Sequence, residues 1–176
     1  ALPVFNRGYS FIGAGVTILG IFYISFLFNY LYLIRSMDNG LYYIWFVFIC
    51  SWVSDTSAYF VGMFFGKRKL CPEVSPHKTV EGSLGGMTGS IVVCVIYGLL
   101  LGANTAVKIP VIHLVMIGIL GNMMSQLGDL SSSSIKRNVG IKDFGKIMPG
   151  HGGILDRFDS ILFVAPLIYY YINLVL

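Results

Sequence analysis

The chain reads as an all-α polytopic membrane protein with about five transmembrane helices and two polar loops that together form its site. Three observations predict this. Of its 176 residues, 56% are hydrophobic and only 11% charged, far from the balance of about 25% charged in soluble domains. The mean hydropathy is +0.77. The apolar residues gather in runs of the length a membrane span needs, about 20 residues, parted by short polar breaks.

Residues 9–34 are apolar and aromatic without a charge, and Arg35 to Gly40 end this first span in a turn. Residues 41–65 predict a second span whose later half carries Trp52, Ser54, Asp55, Thr56 and Ser57, an acid within an apolar run. Residues 66–82 form a basic connection, GKRKLCPEVSPHKTVEG, in which Pro72 and Pro76 forbid a long regular helix. Residues 84–101 predict a third span rich in small residues, and Gly62 with Gly66, like Gly98 with Gly102, has the spacing of packed membrane helices. A short link over 102–110 leads to a fourth span from 111 to about 127. A polar block runs from 128 to 159, and 161–176 close the chain as a last apolar segment, short unless 153–159 begin it.

Two spans separate the 66–82 connection from the polar block, so both face one side of the membrane. With the N-terminal tail, that side carries Arg7, Lys67, Arg68, Lys69, Lys78, Lys136, Arg137, Lys142, Lys146 and Arg157; the other carries Arg35 and Lys108. The positive-inside bias makes the first side cytoplasmic. Cys50, Cys71 and Cys94 are scattered, without a paired spacing, and read as packing residues. His113, in an apolar span, reads the same way. A chain that opens on Ala1, with a first span too long for a signal-peptide core, reads as a piece or processed form of a longer protein.

Residues 133–159 hold five basic residues, three acids, a His and five glycines between strongly apolar segments. Lys136, Arg137, Lys142, Lys146 and Arg157 supply cations; Asp129, Asp143, Asp156 and Asp159 supply carboxylates. Alternating signs at this density suit phosphates bridged to a divalent metal, and Mg²⁺, which takes one or two carboxylates together with substrate phosphates, is the natural choice. Asp129 and Asp156, each at a junction of polar loop and apolar helix, are the obvious ligand pair. Gly150, Gly152 and Gly153 around His151 free the backbone to approach an anion. The plain alternative is a loop whose cations orient the protein and touch anionic headgroups. Carboxylates gain nothing there, which favours a site. Asp55 is costly inside a span unless it faces a cavity or a partner; the alternative is an internal network with Ser54, Thr56, Ser57 and Tyr59. Ser75, Lys78 and Thr79 of SPHKT make a hydroxyl and ammonium set able to grip a phosphate, although so short a motif suits an ordinary turn equally well.

These residues carry a resemblance. The pattern S-x-I-K-R, then K-D-F-G, then P-G-H-G-G-I-L-D-R-F-D over residues 133–159 resembles the signature of the phosphatidate cytidylyltransferases, the CDP-diacylglycerol synthases. WVSDTSAYFVGMFFGK, SPHKTVEGSLGG and GDLSSS resemble further regions of that family, so the likeness covers nearly the whole chain. Met148 stands where Ile, Leu or Phe is usual, and His77 where Lys is common. Family members carry further helices at the N-terminus, so residues 1–176 are expected to be a single membrane-embedded catalytic domain resembling the family's C-terminal portion.

The resemblance implies transfer of CMP from CTP to phosphatidate, giving CDP-diacylglycerol and pyrophosphate, at the cytoplasmic face of a bacterial inner membrane. It implies Mg²⁺ held by Asp129 and Asp156, with Asp143 as reserve ligand, and allows a two-cation centre with a second ion such as K⁺. Ser133, Lys136 and Arg137 are expected to hold phosphate oxygens, and Lys142 and Arg157 to balance the pyrophosphate. His151 either donates to a phosphate or fixes the glycine turn. Asp55, Ser75, Lys78 and Glu81 are expected to complete the nucleotide side, with the acyl tails left in lipid beside a lateral opening. The partners implied are CTP, phosphatidate, membrane lipid and a second copy in a homodimer, with no nucleic acid. Competing readings are another CTP-dependent lipid enzyme (a lipid-alcohol kinase or a CDP-archaeol synthase), a transporter built around Asp55, and a non-catalytic lipid-binding copy.

Overall fold

The computed structural model describes residues 11–145 and 153–176 and is mostly helical. Helix α1 covers residues 11–35 and α2 Gly40–Phe65; a hairpin of β1 (Lys69–Cys71) and β2 (Ser75–Thr79) follows, then α3 (Val80–Asn104), α4 (Val111–Val139) and α5 (Leu155–Val175). All five helices are long and apolar enough to cross a membrane, and the chain is an integral membrane protein. Large apolar side chains such as Leu19, Phe22, Trp45 and Phe64 point outward, as lipid-facing surfaces require.

Each break has a local cause. Between α1 and α2, Asn39 takes a left-handed conformation with φ 62°. A side chain at Gly40 would run into the Ile34 carbonyl, so the tight reversal needs glycine there. Thr79 caps α3, its Oγ1 accepting from the Gly82 amide at 3.1 Å. Helix α4 ends at Gly140, φ 72°, with the Gly140 amide on the Arg137 carbonyl and the Ile141 amide on the Lys136 carbonyl, the usual glycine stop.

The helix bounds differ from the sequence expectation at the site. Residues 66–82 are not an irregular loop: they contain an antiparallel hairpin, Lys69 opposite Thr79 and Cys71 opposite Ser75. Helix α4 does not stop near residue 127 but continues twelve residues further to Val139; there Asp129 and Lys136 line a cavity and Ser132 and Ser133 are buried, so these polar side chains do not meet lipid. Helix α5 starts at Leu155, so Asp156, Arg157 and Asp159 belong to its first turns.

The core lies where α3, α4 and α5 meet the first halves of α2 and the second half of α1. Ile34, Phe46, Val47, Cys50, Cys94, Leu114, Ile117, Ile161, Val164 and Ile168 are almost wholly buried in it. Apolar side chains gain little from leaving lipid for such a core, so close packing has to hold the helices together. Glycines supply it: Gly98 receives Leu114, Gly121 receives Cys50, and Gly62 backs onto Thr79 and Gly82. Gly102 makes no such contact beyond the Val107 carbonyl at 3.7 Å. A five-residue π turn, Ile49–Val53, interrupts α2 just before Ser54 and Asp55; such wide turns often mark functional sites.

One glycine governs the site directly. A Cβ at Gly128 would sit 2.7 Å from the Asp159 carbonyl oxygen and 3.1 Å from Ser160 Cα. Backbone cannot swing aside as a side chain does. Gly128→Ala is therefore expected to cost about 1–3 kcal/mol through overpacking, read as a lowered thermal midpoint in detergent, and to reduce activity by parting α4 from α5.

Candidate functional site

The hairpin and the α4–α5 connection lie at the same end of the bundle, and between them opens a cavity of about 600 Å³. Its floor and walls come from every element except α1. Along α4, Asn122, Gln126, Asp129, Ser133 and Lys136 recur every three or four residues, which puts them on one face. Gln126, Asp129 and Lys136 reach the cavity wall. Arg137, one residue on, is rotated away; it is exposed and donates to its own helix end, Nη1 to the Ile141 carbonyl at 3.2 Å.

Two ion pairs organise the polar wall. Lys78 of β2 pairs with Asp129, and Lys136 Nζ with Asp156 Oδ1 at 2.8 Å. Asp129 Oδ1 also accepts from Ser133 Oγ at 3.3 Å. The other Asp156 oxygen accepts from two backbone amides, Phe144 and Gly153, each at 2.9 Å. An acid in the first turn of a helix thus ties together both described ends of the α4–α5 connection. Lys136 is only 10% exposed and Asp156 8%, and the ammonium group also lies 5.4 Å from the Phe144 ring centre.

Deeper in the cavity, Asp55 lines the wall from α2 and accepts from Ser160 Oγ at 3.3 Å. Asp55, Asp129 and Asp159 are close enough to repel one another, with Lys78 beside Asp55 and Lys136 beside Asp159. The donor set is therefore hard carboxylate oxygen balanced by lysine. Among the described residues no three His, Cys, Asp or Glu side chains form a ready cluster for a metal; a cation bound here would complete its shell with other oxygens.

Of the residues expected at a site, Asp55, Lys78, Asp129, Lys136, Asp143, Asp156 and Arg157 line this one cavity, and Ser133 braces Asp129. Others lie elsewhere. The Glu81 carboxylate accepts from the Lys67 and Arg68 amides at 3.0 and 3.1 Å and so anchors the base of the hairpin. Ser75 sits at the far end of the hairpin, opposite Cys71, and Lys142 is exposed beyond the end of α4. Neither is on the cavity wall. His151 lies outside the described residues. Conversely, Gln126, Ser83 and Met63 line the cavity without having been expected there, and so do Tyr59, read only as a neighbour of Asp55, and Asp159, counted among the carboxylates of the polar block but given no role. For Asp159 a signal existed: it follows Asp156 by three residues, one helical turn on the same face.

The cavity also has an apolar side, made by Ala58, Tyr59, Met63 and Leu70. Residues 54–65 of α2 pack along α3 and make few contacts with α5, whereas the earlier half of α2 does meet α5. The two helices thus diverge towards the cavity.

Comparison with known proteins bears on all of this chain. It is 45% identical over 167 residues to a phosphatidate cytidylyltransferase of Bacillus subtilis, covering 94% of the chain and 61% of that protein. It is 47% identical over 163 residues to one of Staphylococcus saprophyticus, and 42% identical over 163 residues to one of Staphylococcus aureus, covering in each case 93% of the chain and 60% of the relative. The chain therefore spans about three fifths of the length of the curated relatives it matches. The family model described as the cytidylyltransferase family matches residues 3–175. That match takes in the hairpin, the α4–α5 connection and all the helices that bring them together, and the chain belongs to the cytidylyltransferase family.

Proposed function

We propose that this chain is the membrane-embedded catalytic domain of a phosphatidate cytidylyltransferase, which transfers CMP from CTP to phosphatidate and releases pyrophosphate. One observation carries the reading: the two polar regions of the sequence converge on a single cavity that is charged on one side and apolar on the other. A nucleoside triphosphate suits the charged side. A diacylglycerol phosphate suits the boundary, its headgroup among the cations and its acyl chains leaving past Tyr59 and Met63, where α2 and α5 diverge.

The chemistry needs little from a general base. A phosphomonoester has its second pKa near 6, so the attacking oxygen is already anionic close to neutral pH. A phosphatidate oxygen attacks the α-phosphorus of CTP; the bond from that phosphorus to the bridging oxygen of the β-phosphate breaks, and pyrophosphate leaves with the electron pair. The barrier lies in bringing two polyanions together in line, which positioning and fixed positive charge lower. Lys78, Lys136 and Arg157 bring that charge to the cavity.

The carboxylates fit Mg²⁺, a hard cation usually held by one or two of them together with substrate phosphates. Asp129 and Asp156 would hold it, with Asp143 in reserve, and Asp55 and Asp159 add oxygens for a second cation such as K⁺. When bound, Mg²⁺ supplies charge neutralisation at the reacting phosphates. The basic residues around the cavity favour a cytoplasmic orientation, in a bacterial inner membrane by likeness to bacterial relatives, and a homodimer is part of the same reading.

Purified protein given phosphatidate, Mg²⁺ and CTP labelled on the α-phosphate is expected to move label into a chloroform-soluble product matching CDP-diacylglycerol, with release of one pyrophosphate per turnover. Label passing to lipid from the γ-phosphate instead would identify a lipid kinase. Transfer only to an archaeol-type acceptor would identify a CDP-archaeol synthase. Folded protein that moves no label in any of these assays would refute the reading.

A further inference from the structure

Along the cavity wall and just behind it runs a chain of uncharged side chains for which the proposed chemistry has no direct use. Asn122 Nδ2 donates to Ser54 Oγ at 2.5 Å, and Gln126 Nε2 donates to Asn122 Oδ1 at 2.6 Å. Ser83 Oγ in turn donates to Gln126 Oε1 at 2.5 Å, while Gln126 Nε2 reaches the Ser83 carbonyl at 3.3 Å. Every polar atom of the Gln126 amide is thus engaged. Asn122 and Ser54 are wholly buried, in surroundings where a lost hydrogen bond finds no water to replace it.

The chain joins three helices at the points that bear the site. Ser54 of α2 immediately precedes Asp55. Gln126 lies one turn before Asp129 on the same face of α4. Ser83 lies one turn after Thr79, the cap of α3, which follows Lys78, the partner of Asp129. The backbones are close enough for short side chains to bridge them: a Cβ at Gly86 would be 2.9 Å from the Ser54 carbonyl and 3.0 Å from Asn122 Nδ2. From this geometry we infer that Asn122 and Gln126 are positioning residues, which set the distance between Asp55, Asp129 and Lys78 by clamping α2, α3 and α4 beneath them. They act through those residues and not on the substrate. Gln126 lines the cavity wall but has no free donor to offer.

The inference rests on the proposed cytidylyltransferase reading for its kinetic arm only. Gln126→Leu replaces the amide by an apolar side chain one atom shorter and removes all three bonds. In the whole protein it is expected to lower kcat at least tenfold and change KM for CTP less than threefold. Amide hydrogen exchange of residues 69–83, measured without substrate, is expected to speed up at least fivefold, since the hairpin and the start of α3 keep the Lys78–Asp129 pair but lose their hydrogen-bonded tie to α4. Ser83→Ala removes one bond from the opposite end and is expected to move both readouts in the same direction by a smaller factor; it keeps the inference testable if the Leu variant does not fold. Wild-type exchange and kcat in either folded variant would overturn it. So would a rise in KM with kcat unchanged, which would make Gln126 a substrate contact, or a fall in activity matching only the unfolded fraction, which would make the clamp merely structural. Absence of CMP transfer in the wild type would refute the function and leave the exchange result to decide the clamp.

Discussion

Asp129→Asn is expected to lower CMP transfer by about a thousandfold while leaving the protein folded. On the proposed reading the substitution removes a charge aimed at the reacting phosphates and their metal, a class of loss worth roughly 10²–10³ in rate for a single group. The spared fold follows from the carboxylate that remains. The side chains of Asp129 and its partner Lys78 are each 25% exposed, but the Lys78 ammonium group is buried; Asp55 stays beside it to balance its charge, and partly exposed pairs contribute about 0–1 kcal/mol. Asn also keeps an oxygen for the Ser133 hydroxyl. The control is dye labelling of Cys50 and Cys94, both wholly buried: their protection should match wild type while turnover disappears. Turnover within tenfold of wild type would remove Asp129 from the metal site.

Lys136→Met is expected to fail in a different way, losing activity and stability together. This pair is only 10% and 8% exposed, and taking one partner from a buried pair leaves an uncompensated charge, at a cost of about 3–5 kcal/mol. The Phe144 and Gly153 amides still hold the other Asp156 oxygen, so the loss should stay at the lower end of that range. Adding Asp156→Asn to Lys136→Met removes the stranded charge. The double variant should therefore regain much of the thermal midpoint and none of the turnover, a coupling read directly by a double-mutant cycle. If the double variant is no more stable than Lys136→Met alone, the ion pair is not what holds the connection.

The five spans were legible because a membrane helix announces itself by composition over twenty residues. The shared side of the two polar regions followed from counting spans between them. What could not be read was where helix gives way to loop once the outer surface is no longer lipid. In GDLSSSSIKRNV the apolar signal ends near Leu127, yet the helix runs on: Asp129 and Lys136 face the cavity, Ser132 and Ser133 are buried, and Arg137 and Asn138 are exposed at its end. The stop was written in Gly140 after Lys136 and Arg137, a C-terminal signature. Pro72 and Pro76 argued correctly against a helix but could not reveal a hairpin whose base is held from outside by Glu81. Of the charged residues in the long motifs, Asp129, Lys136, Asp143, Asp156 and Arg157 line the cavity, while Arg137, Lys142 and Glu81 do not. Asn122, Gln126 and Ser83 went unnoticed because single polar residues in apolar runs are common, and only the approach of three helices joins them to Ser54 in a network.

The length of α4 works as a depth gauge. At about 1.5 Å per residue, its 29 residues span about 43 Å, while the hydrocarbon layer is about 30 Å thick. With Val111 set at one edge of the oily layer, Asp129 would stand about 27 Å along that axis, at the far edge, and Lys136 would extend into the zone of lipid phosphates. On the proposed reading, a lipid acceptor would reach the reacting atoms by drifting sideways, without being lifted out of the bilayer. Its availability is then set by its mole fraction in the membrane and not by its amount per volume. Diluting phosphatidate with inert lipid at constant total concentration should slow the enzyme as surely as removing it.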